Sequence, residues 1–397
     1  MRILIFSLVD LEKSAHNSRL HQFLKYLSRN HEITVLCLND WWKAQWDSQS
    51  NEYNKDFEQL FQKISIKYVT EKKISPVLQD LLSAFYIHNI LDEIKFSDYD
   101  LFYNYNGLSC GSKIAKLART ENIPVVFDIA DDLPEMISTS PQIPAIFREF
   151  GKMVGRRILD KNVRFSDKVT ITTNYFQSLY GIPIEKTEIL PNGVDAELFY
   201  KKEVPELREK LGLSDSFVVG HVGVLREWLD FHPLFSAIKD LSSTYNIKLL
   251  LVGGGIGYDD TVQLAESYGI TDKVVFTGTI PYPLIPDYIG CMDVCTVPFK
   301  NDSVAQNSLP LKIFEYMACE KPVICSEVRA IREIFNKEIL FVSGSDEYKQ
   351  IIVKLYGDIP LRQHLGSEGR RAIEADYHWE SLSNKLEQLM TELHERA

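Results

Sequence analysis

Residues 307–318 combine a lysine, a glutamate and a predicted helix start. Ser308 and the backbone N–H groups beside it are predicted to begin a helix, and the N-terminus of a helix attracts anions. Lys312 adds a positive charge near the first turn, and Glu315 follows three residues later on nearly the same face. The pattern predicts a phosphate-type anion site in which Glu315 accepts hydrogen bonds from neighbouring hydroxyl groups. The alternative is an ordinary exposed ion pair on a helix surface.

Three aspartates, Asp128, Asp131 and Asp132, end or follow an apolar run at 124–128 that is typical of a buried strand. Carboxylates at the end of such a strand can orient hydroxyl groups or accept a proton as a general base. Asp131 or Asp132 could instead cap the helix that follows. Both interpretations stay open from the sequence.

A polar loop at 14–19 lies between the first apolar run and a helix with apolar residues at helical spacing. It contains Ser14, His16 and Arg19, whose side chains can contact a polar ligand at the end of a strand. The competing interpretation makes His16 a solvent-exposed loop residue and Arg19 an ordinary charge on the helix surface.

Short apolar runs alternate with helical patterns along the whole chain. The predicted strands are 3–9, 33–38, 101–105, 124–128, 168–172, 217–222, 248–252, 274–277, 293–297, 322–324 and 339–342. This rhythm predicts an α/β protein with two doubly wound, Rossmann-like domains. Because turn residues cluster at 183–205, we place the first domain at 1–195 and the second at 196–378. The last helix, about 379–395, is expected either to end the second domain or to cross back onto the first.

Composition excludes several classes of protein. The net charge of −11 over 397 residues disfavours a nucleic-acid binder, which needs a basic surface. The six cysteines lack the spacing typical of zinc sites, so we expect small buried thiols in a reducing compartment. No apolar run approaches the roughly 20 residues that cross a bilayer, and charged residues interrupt the N-terminal run before a signal-peptide pattern is complete. These features predict a cytoplasmic protein.

Residues 147–165 are basic, with a net charge of +4 in an acidic chain. Basic and apolar side chains recur there at helical spacing: Arg148, Lys152 and Arg156 beside Phe150, Val154 and Ile158. A basic amphipathic helix is suited to peripheral contact with an anionic membrane, here the inner face of the cell membrane. The alternative is a helix packed on the first domain with a solvated basic face.

A series of motifs in fixed order resembles glycosyltransferase family 4, whose fold is GT-B. The matching segments are Pro-Asn-Gly-Val-Asp at 191–195, Gly-His-Val-Gly at 220–223, Leu-Leu-Leu-Val-Gly-Gly-Gly at 249–255, Asp-Lys-Val-Val-Phe-Thr-Gly at 272–278, Met-Asp-Val at 292–294, Leu-Pro-Leu-Lys-Ile-Phe-Glu-Tyr-Met-Ala at 309–318 and Lys-Pro-Val at 321–323. The first half matches more loosely, through its first strand, the 14–19 loop and Phe-Ser-Asp-Lys-Val at 165–169. The resemblance implies two Rossmann-like domains that face each other across a cleft.

The resemblance also implies a role for each candidate residue. The donor would be bound by Gly223, Arg226, Asn307, Ser308, Leu309, Lys312 and Glu315, with Glu315 on the ribose. Ser14 and Arg19 would lie on the acceptor side, and Asp128, Asp131, Asp132 and His16 would be the catalytic candidates.

Two departures from the family pattern mark a divergent branch. The family often has two glutamates separated by seven residues, and Asn307 stands at the first of these positions. The family's basic pair after the glycine loop is not in register here. Lys312 is therefore expected to replace that pair, with help from Arg226.

The implied function is transfer of a sugar, of hexose type, from a nucleoside diphosphate sugar to a hydroxyl group of a saccharide or lipid-linked acceptor. The expected setting is polysaccharide or glycoconjugate synthesis, with a UDP-sugar as the favoured donor and retention at the anomeric carbon. GT-B enzymes generally need no metal for phosphate neutralisation, so neither a metal nor another cofactor is expected. Two alternatives stay open: a sugar-nucleotide epimerase of the same fold, and a catalytically silent subunit that binds a partner enzyme.

Overall fold

The computed structural model describes residues 1–13, 18–40, 57–139 and 143–397. They form two compact units, Met1–Pro191 with Trp379–Ala397, and Asn192–His378. Each unit is built on a parallel β-sheet, which confirms the predicted α/β class with two doubly wound domains.

The first unit contains a seven-stranded sheet. Its strands are β1 (Arg2–Ser7), β2 (Glu32–Cys37), β3 (Ser65–Tyr68), β4 (Leu101–Tyr105), β5 (Val125–Ile129), β6 (Lys168–Ile171) and β7 (Thr187–Ile189). They pair in the order β3-β2-β1-β4-β5-β6-β7. The order changes direction between β1 and β4, and open α/β sheets bind ligands at the carboxyl ends of strands at such a point.

The second unit contains a six-stranded sheet. Its strands are β8 (Phe217–Val222), β9 (Ile247–Val252), β10 (Val274–Phe276), β11 (Val294–Val297), β12 (Val323–Ser326) and β13 (Ile339–Val342). They pair in the order β10-β9-β8-β11-β12-β13, so the direction changes between β8 and β11. Strand β8 is buried along its whole length, which explains its lack of polar alternation.

Helices connect the strands of both units. In chain order they are α1 (Arg19–Leu27), α2 (Glu58–Phe61), α3 (Pro76–Leu82), α4 (Ile87–Glu93), α5 (Ser109–Thr120), α6 (Leu133–Thr139), α7 (Ala145–Phe165), α8 (Asn174–Tyr180), α9 (Pro205–Lys210), α10 (His232–Leu241), α11 (Tyr258–Tyr268), α12 (Ile285–Gly290), α13 (Ser303–Gln306), α14 (Leu311–Ala318), α15 (Arg329–Ile334), α16 (Ser345–Gly357), α17 (Ile359–Asp376) and α18 (Trp379–Arg396).

The C-terminal helix α18 packs on α1 of the first unit. The rings of Phe23 and Trp379 meet edge to face with centroids 5.4 Å apart. Arg29 pairs with Glu380 at 3.2 Å beside this aromatic contact. Trp379 is almost fully buried, so the end of the chain is an integral part of the first core.

All six cysteines are buried and free, as expected from their spacing. Burial raises the pKa of Cys291 to about 11 and that of Cys319 to about 12, so these thiols stay protonated. No helix in the described part of the chain is long and apolar enough to cross a membrane.

Candidate functional site

The turn after β8 brings the backbone close to a lysine from α14. Gly223 has φ +131°, a backbone conformation that residues other than glycine rarely adopt. Its N–H donates to the carbonyl oxygen of Val252 at 2.8 Å, which holds the turn against the end of β9. A methyl group at position 223 would lie 2.6 Å from Nζ of Lys312. The glycine therefore leaves the space in which the ammonium group sits.

Helix α14 begins later than the sequence predicted. Pro310 is its N-cap residue, and Lys312 and Glu315 lie in the first and second turns. Ser308 does not start the helix, because its N–H donates to Ala305 O at 3.1 Å and its hydroxyl donates to Val304 O at 2.7 Å. The hydrogen-bonding groups of Ser308 are thus used by the preceding turn, and the helix amides that precede the first helical hydrogen bond belong to residues 311 and 312.

Lys312 contacts a buried histidine from β8. Nζ of Lys312 lies 3.2 Å from Nε2 of His221, and Nδ1 of His221 lies 2.9 Å from the carbonyl oxygen of Thr296. Since that oxygen only accepts, Nδ1 carries the proton and Nε2 accepts from the ammonium group. Burial and the charge of Lys312 keep the pKa of His221 well below its ordinary value, which is consistent with a neutral ring.

The environment also shifts the pKa of the lysine itself. Burial lowers the pKa of Lys312 to about 8, and the nearby Glu315 only partly opposes this effect. No carboxylate of the described chain lies within ion-pair distance of Lys312 Nζ. The exposed ion pair that was the alternative interpretation of Lys312 and Glu315 is therefore absent from this part of the structure.

Glu315 is held by a tyrosine. Its Oε1 accepts a hydrogen bond of 3.0 Å from the hydroxyl of Tyr282, and the residue is 7% exposed. Burial raises the pKa of Glu315 to about 7, although the Tyr282 hydrogen bond and Lys312 lower it. The Tyr282 ring packs against Phe199 with centroids 5.4 Å apart, which fixes the direction of its hydroxyl.

Sequence reasoning missed both His221 and Tyr282 as site residues. A signal for His221 was available, because it is a polar residue inside the apolar run of β8. Tyr282 lies between Pro281 and Pro283, and two prolines around an aromatic residue indicate a fixed turn.

The other predicted donor residues contact neither Lys312 nor Glu315 through a hydrogen bond among the described residues. Asn307 is buried, and its Oδ1 accepts from Arg329 at 3.2 Å. The carbonyl oxygen of Leu309 accepts from Asn192 at 2.6 Å, so this residue fixes the approach to α14. Arg226 is exposed, and its guanidinium lies 5.2 Å from the ring centre of Trp228.

In the first unit, Arg19 and Asp128 form a buried ion pair at 3.1 Å. The Tyr103 hydroxyl donates to the same carboxylate oxygen, Oδ2. The Arg19 guanidinium also donates to the carbonyl oxygens of Leu190 and Pro191, each at 2.6 Å. Arg19 is therefore not the exposed surface charge that was the competing interpretation. Its side chain links Asp128, at the end of β5, to the backbone of Leu190 and Pro191.

The other two aspartates of the cluster differ in exposure. Asp132 is buried and caps α6, because its Oδ1 accepts from the N–H of Glu135 at 3.0 Å and from the hydroxyl of Tyr180 at 2.5 Å. Asp131 is exposed, and its Oδ2 accepts from Nδ2 of Asn106 at 3.0 Å. Asp131 is thus the most exposed residue of the three, although burial of its carboxyl group raises the pKa above the ordinary value.

Two further candidates, Ser14 and His16, lie outside the described residues. Among the residues that are described, no group of three or more His, Cys, Asp or Glu side chains could hold a metal ion.

The second unit matches a known family. The model of the family described as "Glycosyl transferases group 1" matches residues 203–372. The match includes Gly223, His221, Tyr282, Lys312 and Glu315.

Individual relatives are distant. The capsular polysaccharide biosynthesis glycosyltransferase CapM of Staphylococcus aureus is 27% identical over 240 residues, which cover 59% of this chain and 58% of CapM. A GDP-mannose-dependent alpha-(1-6)-phosphatidylinositol monomannoside mannosyltransferase of Mycobacterium tuberculosis is 27% identical over 246 residues, covering 59% of this chain and 64% of the relative. The chain thus spans about three fifths of the length of these curated relatives.

Solved structures extend the likeness of fold to the whole chain. Anabaena HepE, solved in complex with UDP, has a TM-score of 0.73 and 18% identity, covering 99% of this chain and 100% of HepE. Residues 203–372 are therefore similar to the glycosyl transferases group 1 family, and the chain as a whole has the GT-B fold.

Proposed function

We propose that this protein is a glycosyltransferase that moves a sugar from a nucleoside diphosphate sugar to an acceptor hydroxyl group. The observation that carries the proposal is the position of Lys312 over Gly223, with Glu315 one turn further along α14. The lysine and the first amides of α14 would hold the diphosphate, and Glu315 would accept hydrogen bonds from the ribose hydroxyls.

The electrostatics of the site suit an anion. The imidazole of His221 is neutral, so its contact with Lys312 directs the ammonium group without cancelling its charge. A bound diphosphate would keep Lys312 protonated, because an opposite charge raises the pKa that burial has lowered. The same charge would stabilise the diphosphate as it leaves in the transition state.

A UDP-sugar is the favoured donor, and a GDP-sugar is the alternative. HepE was solved with UDP, whereas the mycobacterial relative is described as dependent on GDP-mannose. The acceptor would be a saccharide or a lipid-linked saccharide, as expected in polysaccharide or glycoconjugate synthesis. CapM, a capsular polysaccharide biosynthesis glycosyltransferase, supports that setting.

The proposed transfer proceeds with retention and without a metal ion. In a retaining transfer the leaving phosphate takes the acceptor proton, so a carboxylate base is not required. Asp131, the exposed residue of the cluster, would then orient the acceptor rather than remove its proton. The buried Asp128 would keep the position of the β5 end.

Donor binding is tested directly with a panel of UDP-, GDP- and ADP-sugars in thermal-shift and calorimetric titrations. Lys312→Ala and Glu315→Ala should each weaken binding of the preferred donor about ten- to hundredfold, since a charge-assisted contact contributes about 1.5–3 kcal/mol. Lys354→Ala and Glu209→Ala, exposed residues of α16 and α9, are matched controls and should bind as the wild type does.

The same panel separates the alternative functions. Unchanged donor affinity in both site variants would refute the assignment of the site. Donor binding without transfer to any acceptor would favour a silent subunit, and conversion of the sugar nucleotide without an acceptor would favour an epimerase.

A further inference from the structure

Helix α7 carries large apolar side chains on its outward surface. Ile146 is 83% exposed and Phe150 is 62% exposed, and Phe147 and Met153 beside them are also exposed. Toward the C-terminus the same surface continues with cations. We call this set the α7 face: Ile146, Phe147, Phe150, Met153, Arg157, Lys161 and Arg164. Steps of three and four residues place most of its members on one side of the helix.

The opposite side of α7 is fixed, so the helix cannot turn its apolar residues inward. A methyl group added at Gly151 or Gly155 would lie within 3 Å of the side chain of Ile137 on α6. Asn162 is fully buried and donates to the carbonyl oxygen of Gly107 at 2.9 Å. Val154, which the sequence placed in the apolar stripe, is partly buried.

The cations of the α7 face are not neutralised by neighbours. Lys152 pairs with Glu135, and Arg156 pairs with Asp160 at 3.4 Å, and both of these cations lie off the α7 face. In contrast, Arg157, Lys161 and Arg164 have no ion-pair partner in the described parts of the chain. Free positive charge beside exposed aromatic and aliphatic side chains is uncommon on a surface that faces only water.

We propose that the α7 face docks the protein on a membrane surface that contains anionic lipid. The apolar side chains would enter the boundary between headgroups and acyl chains, and the three cations would lie near the lipid phosphates. The positive charge of the α7 face favours an anionic lipid surface as its partner, because the chain as a whole is acidic. A helix with a merely solvated basic face would not expose Ile146 and Phe150. The proposal does not depend on the sugar-transfer activity.

The test is cosedimentation of the full chain with vesicles of phosphatidylcholine alone and of phosphatidylcholine with phosphatidylglycerol. Wild type should bind the anionic vesicles much more tightly than the neutral ones, and added salt should weaken that binding. I146S/F150S should lower the partition coefficient at least about tenfold. R157Q/K161Q/R164Q should lower it roughly hundredfold, because each cation near such a surface contributes about a factor of five.

Exposed residues of the second unit supply the matched control. I359S/K354Q removes one apolar and one cationic side chain from α17 and α16 and should bind vesicles as the wild type does. All variants should keep the wild-type circular dichroism spectrum and melting temperature, since the changed side chains are exposed. Equal binding of wild type to neutral and anionic vesicles, or α7-face variants that bind like the control, would overturn the proposal. A dimer that I146S/F150S abolishes, without vesicle binding, would assign the face to a second copy of the chain instead.

Discussion

Nε2 of His221 lies 3.2 Å from Nζ of Lys312, although a glutamate stands one turn from the lysine on the same helix. The lysine thus has a neutral partner instead of an anionic one. An ion pair with Glu315 would have cancelled the charge that a diphosphate needs. The carboxylate of Glu315 is held separately by Tyr282, which leaves the two side chains available for different parts of one ligand.

His221 should be a positioning residue for the lysine. An asparagine at position 221 can still donate to Thr296 O but does not reach Lys312, whereas a glutamine reaches the position of Nε2 with its amide oxygen. His221→Asn should therefore weaken donor binding about three- to tenfold, and His221→Gln should restore most of it. Calorimetric titration of the preferred nucleotide sugar measures both. Equal losses in the two variants, matched by equal losses of melting temperature, would point to a purely structural histidine.

The raised pKa of Glu315 should make stability depend on pH. In the unfolded chain the carboxyl group ionises near its ordinary pKa of about 4.5, whereas in the folded protein its pKa is about 7. Between these values the folded state binds more protons, so this residue's contribution to stability is lost as pH rises from about 4.5 to about 7.

Glu315→Gln should consequently stabilise the unliganded protein at pH 8, by up to about 3 kcal/mol, and have little effect near pH 4. Melting temperatures of wild type and variant across this range provide the measurement, with Glu209→Gln as an exposed control. Glu315→Gln should also bind the donor more weakly. Residues of a functional site often lower the stability of the folded protein, and replacing them raises stability but impairs function. A constant difference between variant and wild type at all pH values would contradict the assigned pKa.

The sequence could predict a contact of the site only where the two residues are close together in the chain. Lys312 and Glu315 are three residues apart, so their shared face followed from helix geometry alone. The partners of these residues are 91 and 33 residues away in the chain, and periodicity carries no information on such pairs. The same holds for Asp128, whose partner Arg19 is 109 residues distant.

The late start of α14 has a local cause that the sequence does contain. Pro310 disfavours helical geometry at Leu309, the residue before it, and its own ψ of 142° is extended. A helix can therefore begin only after the proline, and Ser308 is left to close the preceding turn of α13. The doubly wound fold, in contrast, was predictable, because buried parallel strands produce continuous apolar runs that helical segments separate.

Transfer should not require a divalent metal. Lys312 and the first amides of α14 can neutralise part of the diphosphate charge themselves. Activity should therefore survive EDTA with less than about a twofold change, and added Mg²⁺ or Mn²⁺ should not raise it further. The measurement is initial rate against chelator concentration with the preferred donor. Loss of activity that Mn²⁺ restores would instead assign metal ligation to the aspartates of the first unit.

Asp128 and Asp131 should respond differently to the same substitution. Asp128→Asn removes the charge that pairs with buried Arg19, and breaking a buried pair from one side costs about 3–5 kcal/mol, so its melting temperature should fall. Asp131→Asn changes a residue that is exposed and forms no ion pair with Arg19, so it should not lower the melting temperature. If Asp131 orients the acceptor, its variant should raise the acceptor KM about tenfold while kcat and donor affinity stay near wild type.

The stereochemistry of the product distinguishes an Asp131 that only orients the acceptor from an Asp131 that acts as a general base. Retention leaves proton transfer to the departing phosphate, so kcat should tolerate the loss of the Asp131 carboxylate. Inversion requires a general base, and removal of such a base typically lowers the rate about 10²–10⁴-fold. The anomeric configuration of the product, measured by NMR, should therefore be read together with the kinetics of Asp131→Asn. An inverted product with a kcat loss of that size, at unchanged donor affinity and stability, would make Asp131 the base and refute the retaining mechanism.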